Sequence, residues 1–245
     1  MNDFKIIAGP CAIESEKQYI DICSFLYNNG VRMFRCGMFK PRTSMHSFQG
    51  VGGNLGYDIA NRFIDTCDEN ITFVSEIVRP TFYFYEWIKE KVILQIGARN
   101  MYNYELLKKI AIKWDGDVLL KRSFSATIDE WIKAAEYLRS WDNKGVREVI
   151  LCERGIRTFE TRTRNTLDLS AVSIIKNETN FKVFVDPSHA AGRSDIIKDL
   201  CCASKAVGAD GIMIEVHNDR RRALCDGNQA LTFEQFVEIK EALYD

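Results

Sequence analysis

Short apolar runs alternate with longer amphipathic stretches along the whole chain. Residues 4–8 (FKIIA), 31–37 (VRMFRCG), 71–77 (ITFVSEI), 92–96 (VILQI), 117–121 (DVLLK), 148–152 (EVILC), 182–186 (KVFVD) and 211–216 (GIMIEV) read as strands. They are short and nearly continuous in Val, Ile, Leu and Phe, as strands buried on both faces must be. Between them the apolar spacing changes to that of a helix. Over residues 17–27, Tyr19, Ile20, Cys23, Leu26 and Tyr27 recur at i, i+3 and i+4. Further helices are predicted over or within 61–67, 83–91, 104–114, 127–140, 169–177, 196–207 and 233–243. The strand starts are spaced by roughly 30 residues, the size of one βαβ repeat. Such strand-helix units repeated through a chain of this length predict a (β/α)8 TIM barrel, with a doubly wound open sheet as the alternative. There is no Gly- or Pro-rich linker and only 4 Pro, so residues 1–245 read as a single catalytic domain. The longest strand-to-helix connection, 38–58, is polar and glycine-rich, and connections of that length usually serve function.

Composition narrows the class. The chain has 245 residues, 46% hydrophobic and 27% charged, which is ordinary for a globular protein and excludes a disordered or coiled-coil chain. With 33 basic against 34 acidic residues it lacks the excess positive charge of a nucleic-acid binder. No long apolar run predicts a membrane span, and the first residues, MNDFK, do not form a secretory signal. Eight Cys without such a signal read as reduced thiols of a cytoplasmic protein.

A barrel places its working groups at the C-terminal strand ends and in the loops that follow. Those ends carry Cys11 and Glu14, Arg35 with Lys40 and Arg42, Glu76, Arg99, Lys121 with Arg122, Glu153 with Arg154, Asp186 with His189, and Glu215 with His217 and Asp226. A single charge at a strand end is ordinarily a solvated rim residue. All eight strands delivering such groups in phase is a different matter. Arg35, Lys40, Arg42, Arg99, Lys121 and Arg154 would ring one mouth with cations, which points to phosphates and a carboxylate as ligands, and without an anion these charges are expected to repel one another. A second constellation is Cys11, His189, Glu215 and Asp226, from neighbouring parts of a closed barrel. Its mixed sulfur, nitrogen and oxygen donors suit a divalent first-row transition metal better than Mg²⁺ or Ca²⁺. His217 is a rival to His189; being two residues from Glu215 it shares that strand face and is expected beside the ligands or the substrate. His46 is expected at the solvent or substrate edge of the long loop. Cys225 precedes Asp226, so two thiols can lie near the metal.

The segments AGPCAIES (8–15), RCGMFKPRTSMHSFQG (35–50), LQIGARN (94–100), LLKRSFSAT (119–127), CERGIRTFE (152–160), DPSHAAGR (186–193) and DG (226–227) resemble the short, barrel-only branch of the 3-deoxy-7-phosphoheptulonate (DAHP) synthases, a branch related to the 8-phosphooctulonate synthases. The resemblance runs in order over essentially the whole chain. It implies condensation of phosphoenolpyruvate with erythrose 4-phosphate, a transferase reaction that opens the shikimate route to the aromatic amino acids. It implies Arg35, Lys40, Arg99, Lys121 and Arg154 around phosphoenolpyruvate, with the Ala98 backbone near its phosphate. Lys40, Pro41, Arg42 and Thr43 would hold the aldose, with Arg42 and Thr43 on its phosphate. The resemblance also implies Cys11, His189, Glu215 and Asp226 as ligands of Mn²⁺, Fe²⁺, Co²⁺ or Zn²⁺. Lys40, Cys11 and His189 are then the groups closest to the chemistry, Lys40 as proton donor. A dimer or tetramer is implied as well.

The chain departs from the usual motifs at Met45-His46, Ser123 and Val78, and at Cys225, where serine is common. The metal and anion positions survive every departure. Regulatory modules found in some relatives have no room within these residues. Two rivals remain. One is an octulosonate-type synthase using arabinose 5-phosphate, whose family reads KANRS or KANRT against Lys40-Pro41-Arg42-Thr43 here. The other is a non-catalytic barrel that binds a phosphorylated ligand, which would have no need of a metal set.

Overall fold

A computed structural model describes residues 4–42, 44–67, 70–82, 89–140 and 146–244. Eight parallel strands close on themselves in chain order. They are β1 (Lys5–Gly9), β2 (Met33–Arg35), β3 (Thr72–Glu76), β4 (Val92–Ile96), β5 (Val118–Lys121), β6 (Val149–Glu153), β7 (Lys182–Val185) and β8 (Gly211–Glu215). The seam that closes the barrel pairs β1 with β8 from Lys5 opposite Gly211 to Gly9 opposite Glu215. That pairing removes the open-sheet alternative and confirms the (β/α)8 barrel.

The helices fall where the amphipathic periods lie. Glu16–Asn28, Tyr104–Lys113 and Leu169–Glu178 begin at side-chain caps: Ser15, Asn103 and Asp168 each accept a backbone N–H of the first turn. Ile128–Ser140, Ile197–Ala206 and Phe233–Tyr244 complete the described outer helices that match expectation. The helix expected over 83–91 lies largely outside the described residues. Two differences stand out. The second helix runs Gly53–Ile64, so it starts well before 61 and ends before 67. The glycines that read as loop are part of it. Gly56 lies against Met38, where a Cβ would come within 2.7 Å of the Met38 side chain, so its glycine permits close approach of helix and loop. The long connection therefore ends at Gly52, several residues sooner than expected. A further short helix, Pro187–Ala191, follows β7 directly. No helix among the described residues is long and apolar enough to cross a membrane.

Strand alternation sorts the side chains. One set, including Ile6, Ala8, Phe34, Phe73, Leu94, Leu120 and Val183, packs outward under the helices. The other set, Ile7, Val74, Ile93, Leu119, Ile150, Cys152, Phe184 and Met213, forms a separate apolar plug inside the barrel. Two residues further along the same faces stand Arg35 (from Met33), Glu76, Gln95, Lys121, Asp186 and Glu215. The interior thus changes from apolar to ionic within one step along β2, β3, β5, β7 and β8. Taking an ion out of water costs several kcal/mol unless it is paired, whereas a buried Leu or Phe contributes about 1.5–3 kcal/mol. The plug therefore stabilises the barrel, and the ionic layer above it is there for another purpose.

Candidate active site

The first turn after β1 brings Cys11 into the mouth. Gly9 has φ +148°, and a Cβ there would press to 3.1 Å from Arg35, so the missing side chain makes room for the arginine. Cys11 Sγ lies 3.0 Å from Asp226 Oδ2. Asp226 is the one described non-glycine residue with a left-handed backbone, φ 52°, a conformation aspartate tolerates better than most residues. His189 Nε2 lies 3.3 Å from Glu215 Oε1. The donor atoms of Cys11, His189, Glu215 and Asp226 all fall within 4.8 Å of one another. That spacing suits an ion with bonds of about 2.0–2.3 Å to nitrogen, oxygen and sulfur.

The electrostatics agree with metal binding. Burial lowers the pKa of His189 to about 4, against the pull of Asp186 and Glu215. Its imidazole is therefore neutral, the form that ligates. Burial pushes the Glu215 and Asp226 carboxyls up, but the cations around them win and hold both below the usual range: Arg35 and Lys40 for Glu215 and chiefly Lys40 for Asp226, with His189 adding to this only when it carries a proton. The Cys11 thiol is raised, first by burial and then by its contact with Cys225; a bound cation would reverse that. The donor set fits a soft-tolerant divalent ion.

A second tier holds these groups still. Asp186 caps the Pro187–Ala191 helix by accepting the His189 N–H at 2.9 Å. Its other oxygen takes Lys121 Nζ at 2.5 Å and lies 2.8 Å from His189 Nδ1, a contact that falls short of hydrogen-bond alignment. Gln229 donates to Glu215 Oε2 at 2.7 Å and accepts from Arg164 at 3.0 Å. Only one orientation of the amide satisfies both, since the guanidinium only donates and the carboxylate only accepts. Losing such an outer partner typically costs 10–100-fold in metal affinity. Gln229→Ala is therefore expected to weaken Mn²⁺ binding by about that factor while the far-ultraviolet circular dichroism stays unchanged. A chelator-competition titration reads this, and an unaltered affinity would remove Gln229 from the site.

All six predicted cations line one cavity of about 250 Å³, together with Cys11, His189 and Asp226. Pro41 and Ala98 line it too, and Thr43 lies outside the described residues. The expected mutual repulsion is only partly realised. Arg35 Nη2 meets Glu215 at 2.9 Å, Lys121 meets Asp186, and Lys40 and Arg42 stand 3.4 and 3.5 Å from Asp226. Carboxylates brought in from distant strands hold four of the six. Arg35 Nη1 nevertheless remains buried without a hydrogen-bond partner, so one edge of its fork is left for a ligand. Among the described residues Arg154 donates only to the backbone carbonyls of His189 and Gly155, and burial lowers its pKa to about 10. Phe124 lies beneath the guanidinium groups of Arg99, Arg154 and Arg157 at 5.5, 4.7 and 4.9 Å. Its ring face attracts three cations and spaces them. Around Lys40, burial opposes the charge, but Cys11 in its thiolate form and the Glu215 and Asp226 carboxylates outweigh it and hold the ammonium protonated.

Two expectations change, those for His217 and Arg122, while His46 and Cys225 lie where they were expected. His217 is no cavity residue. Its Nε2 sits 3.3 Å from Gln18 and 3.6 Å from Glu14, and its Nδ1 accepts from the Asp219 N–H, so it ties the loop after β8 to the loop after β1. His46 is exposed. Arg122 turns away from the mouth into a buried network with Glu153 and Asp168, at 2.9 and 2.8 Å. Cys225 packs on Cys11 and Ala12 beside Phe48 and is outside the four-donor set. Sequence reading had not given roles to Asp186, Gln229, Arg164 or Phe124. Asp186 was within reach, because alternation puts it above Phe184; Gln229 and Arg164 carry no periodic signal.

A family model described as the DAHP synthetase I family matches residues 2–245. A phospho-2-dehydro-3-deoxyheptonate aldolase of Thermotoga maritima is 44% identical over 242 residues, covering 98% of this chain and 69% of that protein. A 2-dehydro-3-deoxyphosphooctonate aldolase of Syntrophobacter fumaroxidans is 28% identical over 266 residues, covering 100% of this chain and 87% of its own length. Among solved structures, the Thermotoga maritima DAHP synthase superposes with a TM-score of 0.87 at 42% identity, covering 99% of this chain and 68% of that one. A truncated form of the Thermotoga maritima enzyme gives 0.85 at 42% identity, with coverage of 98% and 85%.

Proposed function

Because this chain belongs to the DAHP synthetase I family, we propose that it condenses phosphoenolpyruvate with erythrose 4-phosphate and water to give 3-deoxy-D-arabino-heptulosonate 7-phosphate and inorganic phosphate. In classification terms it is a transferase, with residues 1–245 acting as one catalytic domain. The observation that carries this reading is that three of the four mixed donors, Cys11, His189 and Asp226, line one cavity with the six cations, and the fourth, Glu215, lies within 4.8 Å of them. A non-catalytic phosphate binder would need only the cations.

Arg35, Arg99, Lys121 and Arg154 hold phosphoenolpyruvate by its phosphate and carboxylate, with the Ala98 backbone at the phosphate. Pro41, Arg42 and Thr43 hold the aldose phosphate. Lys40 lies between the two substrates. Carbon 3 of the enol phosphate attacks the aldehyde carbon, forming the carbon–carbon bond. The protonated Lys40 gives a proton to the aldehyde oxygen as it gains charge. Water adds to carbon 2, and the carbon 2–oxygen bond to the phosphate then breaks. Cys11, His189, Glu215 and Asp226 would hold the metal. When bound it supplies Lewis acidity at the aldehyde oxygen or the attacking water. Fixed arginines and a preorganised cavity supply orientation and charge stabilisation without reorganisation. The mixed donors favour Mn²⁺, Fe²⁺, Co²⁺ or Zn²⁺. We place the enzyme in the cytoplasm as a homodimer or homotetramer; the free state of all eight cysteines supports a reducing compartment.

The test is phosphate release with phosphoenolpyruvate and either erythrose 4-phosphate or arabinose 5-phosphate, before and after chelation. Turnover is expected with erythrose 4-phosphate, to vanish in chelator and to return with Mn²⁺, Co²⁺ or Fe²⁺. A preference for arabinose 5-phosphate would move the chain to the octulosonate reaction. Full activity in a protein stripped of metal would overturn the metal assignment.

A further inference from the structure

A second cavity of about 670 Å³ opens beside the catalytic one, between the loops that follow β6, β7 and β8. Its charged lining is Arg162, Arg164, Arg193, Arg220 and Arg221 against a single carboxylate, Asp226. The chain as a whole is balanced at 33 basic and 34 acidic residues, so this imbalance is local. Asp226 is already engaged by Cys11, Lys40, Arg42 and Arg164. Arg193 is neutralised by Asp195 through two contacts of 2.6 Å, and among the described residues the Arg220 guanidinium has only the Ser194 hydroxyl, at 2.5 Å. Among the described residues no hydrogen bond or ion pair holds the guanidinium groups of Arg162 and Arg221.

Several arginines lining one concave site suit a phosphate, which accepts several charge-assisted bonds at once. Arg164 lines both cavities. It stands 3.4 Å from Asp226 and donates to Gln229, which in turn holds Glu215. We propose that this groove is an accessory site for a phosphate group, either free phosphate or the terminal phosphate of a small phosphorylated molecule, and that Arg164 couples its occupancy to the metal-binding carboxylates. An anion in the groove competes with Asp226 for Arg164 and so changes how firmly Asp226 is held. Anion binding itself stands apart from the condensation reading; only the coupling rests on the metal assignment.

The experiment is equilibrium dialysis of the metal-loaded protein against labelled inorganic phosphate, repeated with ribose 5-phosphate. The proteins compared are the wild type, Arg162→Ala/Arg221→Ala, Arg162→Lys/Arg221→Lys and Arg99→Ala. The alanine pair is expected to lose one class of phosphate site, or to weaken it about tenfold. Its turnover in phosphate-free buffer should stay unchanged. The lysine pair should retain most of the binding, and Arg99→Ala should keep the class that the alanine pair loses. Ribose 5-phosphate competing for that class would identify a phosphorylated sugar as an occupant, while phosphate binding alone would identify the free ion. Phosphate should also shift the apparent Mn²⁺ affinity in the wild type and not in the alanine pair. Unchanged phosphate binding in the alanine pair, or loss of the same class in Arg99→Ala, overturns the site. Absence of Mn²⁺ binding in every protein would instead sink the metal reading, and the phosphate stoichiometry would still decide the groove.

Discussion

Cys11→Ser is expected to lose most of its metal and with it nearly all turnover, while Cys225→Ser keeps both. The two thiols pack against each other, so proximity does not separate them. The donor geometry does: Cys11 Sγ is within 4.8 Å of the His189, Glu215 and Asp226 donors and lies 3.0 Å from Asp226 Oδ2, whereas Cys225 is outside the set. A serine hydroxyl at position 11 has neither the negative charge nor the polarisability of a thiolate. Removing a direct ligand should exceed the 10–100-fold loss typical of an outer-shell partner. Metal content after dialysis, measured for both variants side by side, reads the result. A Cys11→Ser protein with normal metal and normal rate would dissolve the four-residue set, whatever the behaviour of Cys225.

Lys40→Ala should depress kcat by about 10²–10⁴, the usual range for a positioned proton donor. Arg42→Ala should instead raise KM for erythrose 4-phosphate with a much smaller effect on kcat. The reason is that Arg42 is assigned to a phosphate remote from the reacting carbons, whose charge changes little between ground and transition state. Both side chains also stand within 3.4 and 3.5 Å of Asp226, so each variant disturbs a carboxylate of the proposed metal set. Metal affinity must be measured alongside the kinetics, and rates compared at saturating metal. If Arg42→Ala moved KM for phosphoenolpyruvate and left that for the aldose unchanged, the two substrate shells would be reversed.

The sequence by itself determined the barrel and most of the identities at its mouth. Apolar strands recurring at a near-constant step leave little choice of architecture, and the strand period of two makes residues such as Lys121 and Glu215 share a face with Leu119 and Met213. Local patterns are short-range, and short-range physics wrote them. The helix at Gly53–Ile64 was hidden for the same reason: its glycines have low helix propensity, and only packing against Met38 accounts for Gly56. Charge compensation belonged to the tertiary structure alone. Lys121 finds Asp186 across 65 residues and Arg35 finds Glu215 across 180. Three carboxylates thus contact four of the six cations that looked mutually repulsive along the chain, Lys40 and Arg42 sharing Asp226. Gln229 and Arg164 became part of the site, and the arginine groove came into being, only because closing the barrel sets the loops after β6, β7 and β8 side by side. The Lys121–Asp186 and Arg35–Glu215 pairs cross the barrel interior between strands that are not neighbours, β5 with the end of β7 and β2 with β8, so they depend on closure and on the relative height of the strands, which the spacing of the residues along the chain does not encode.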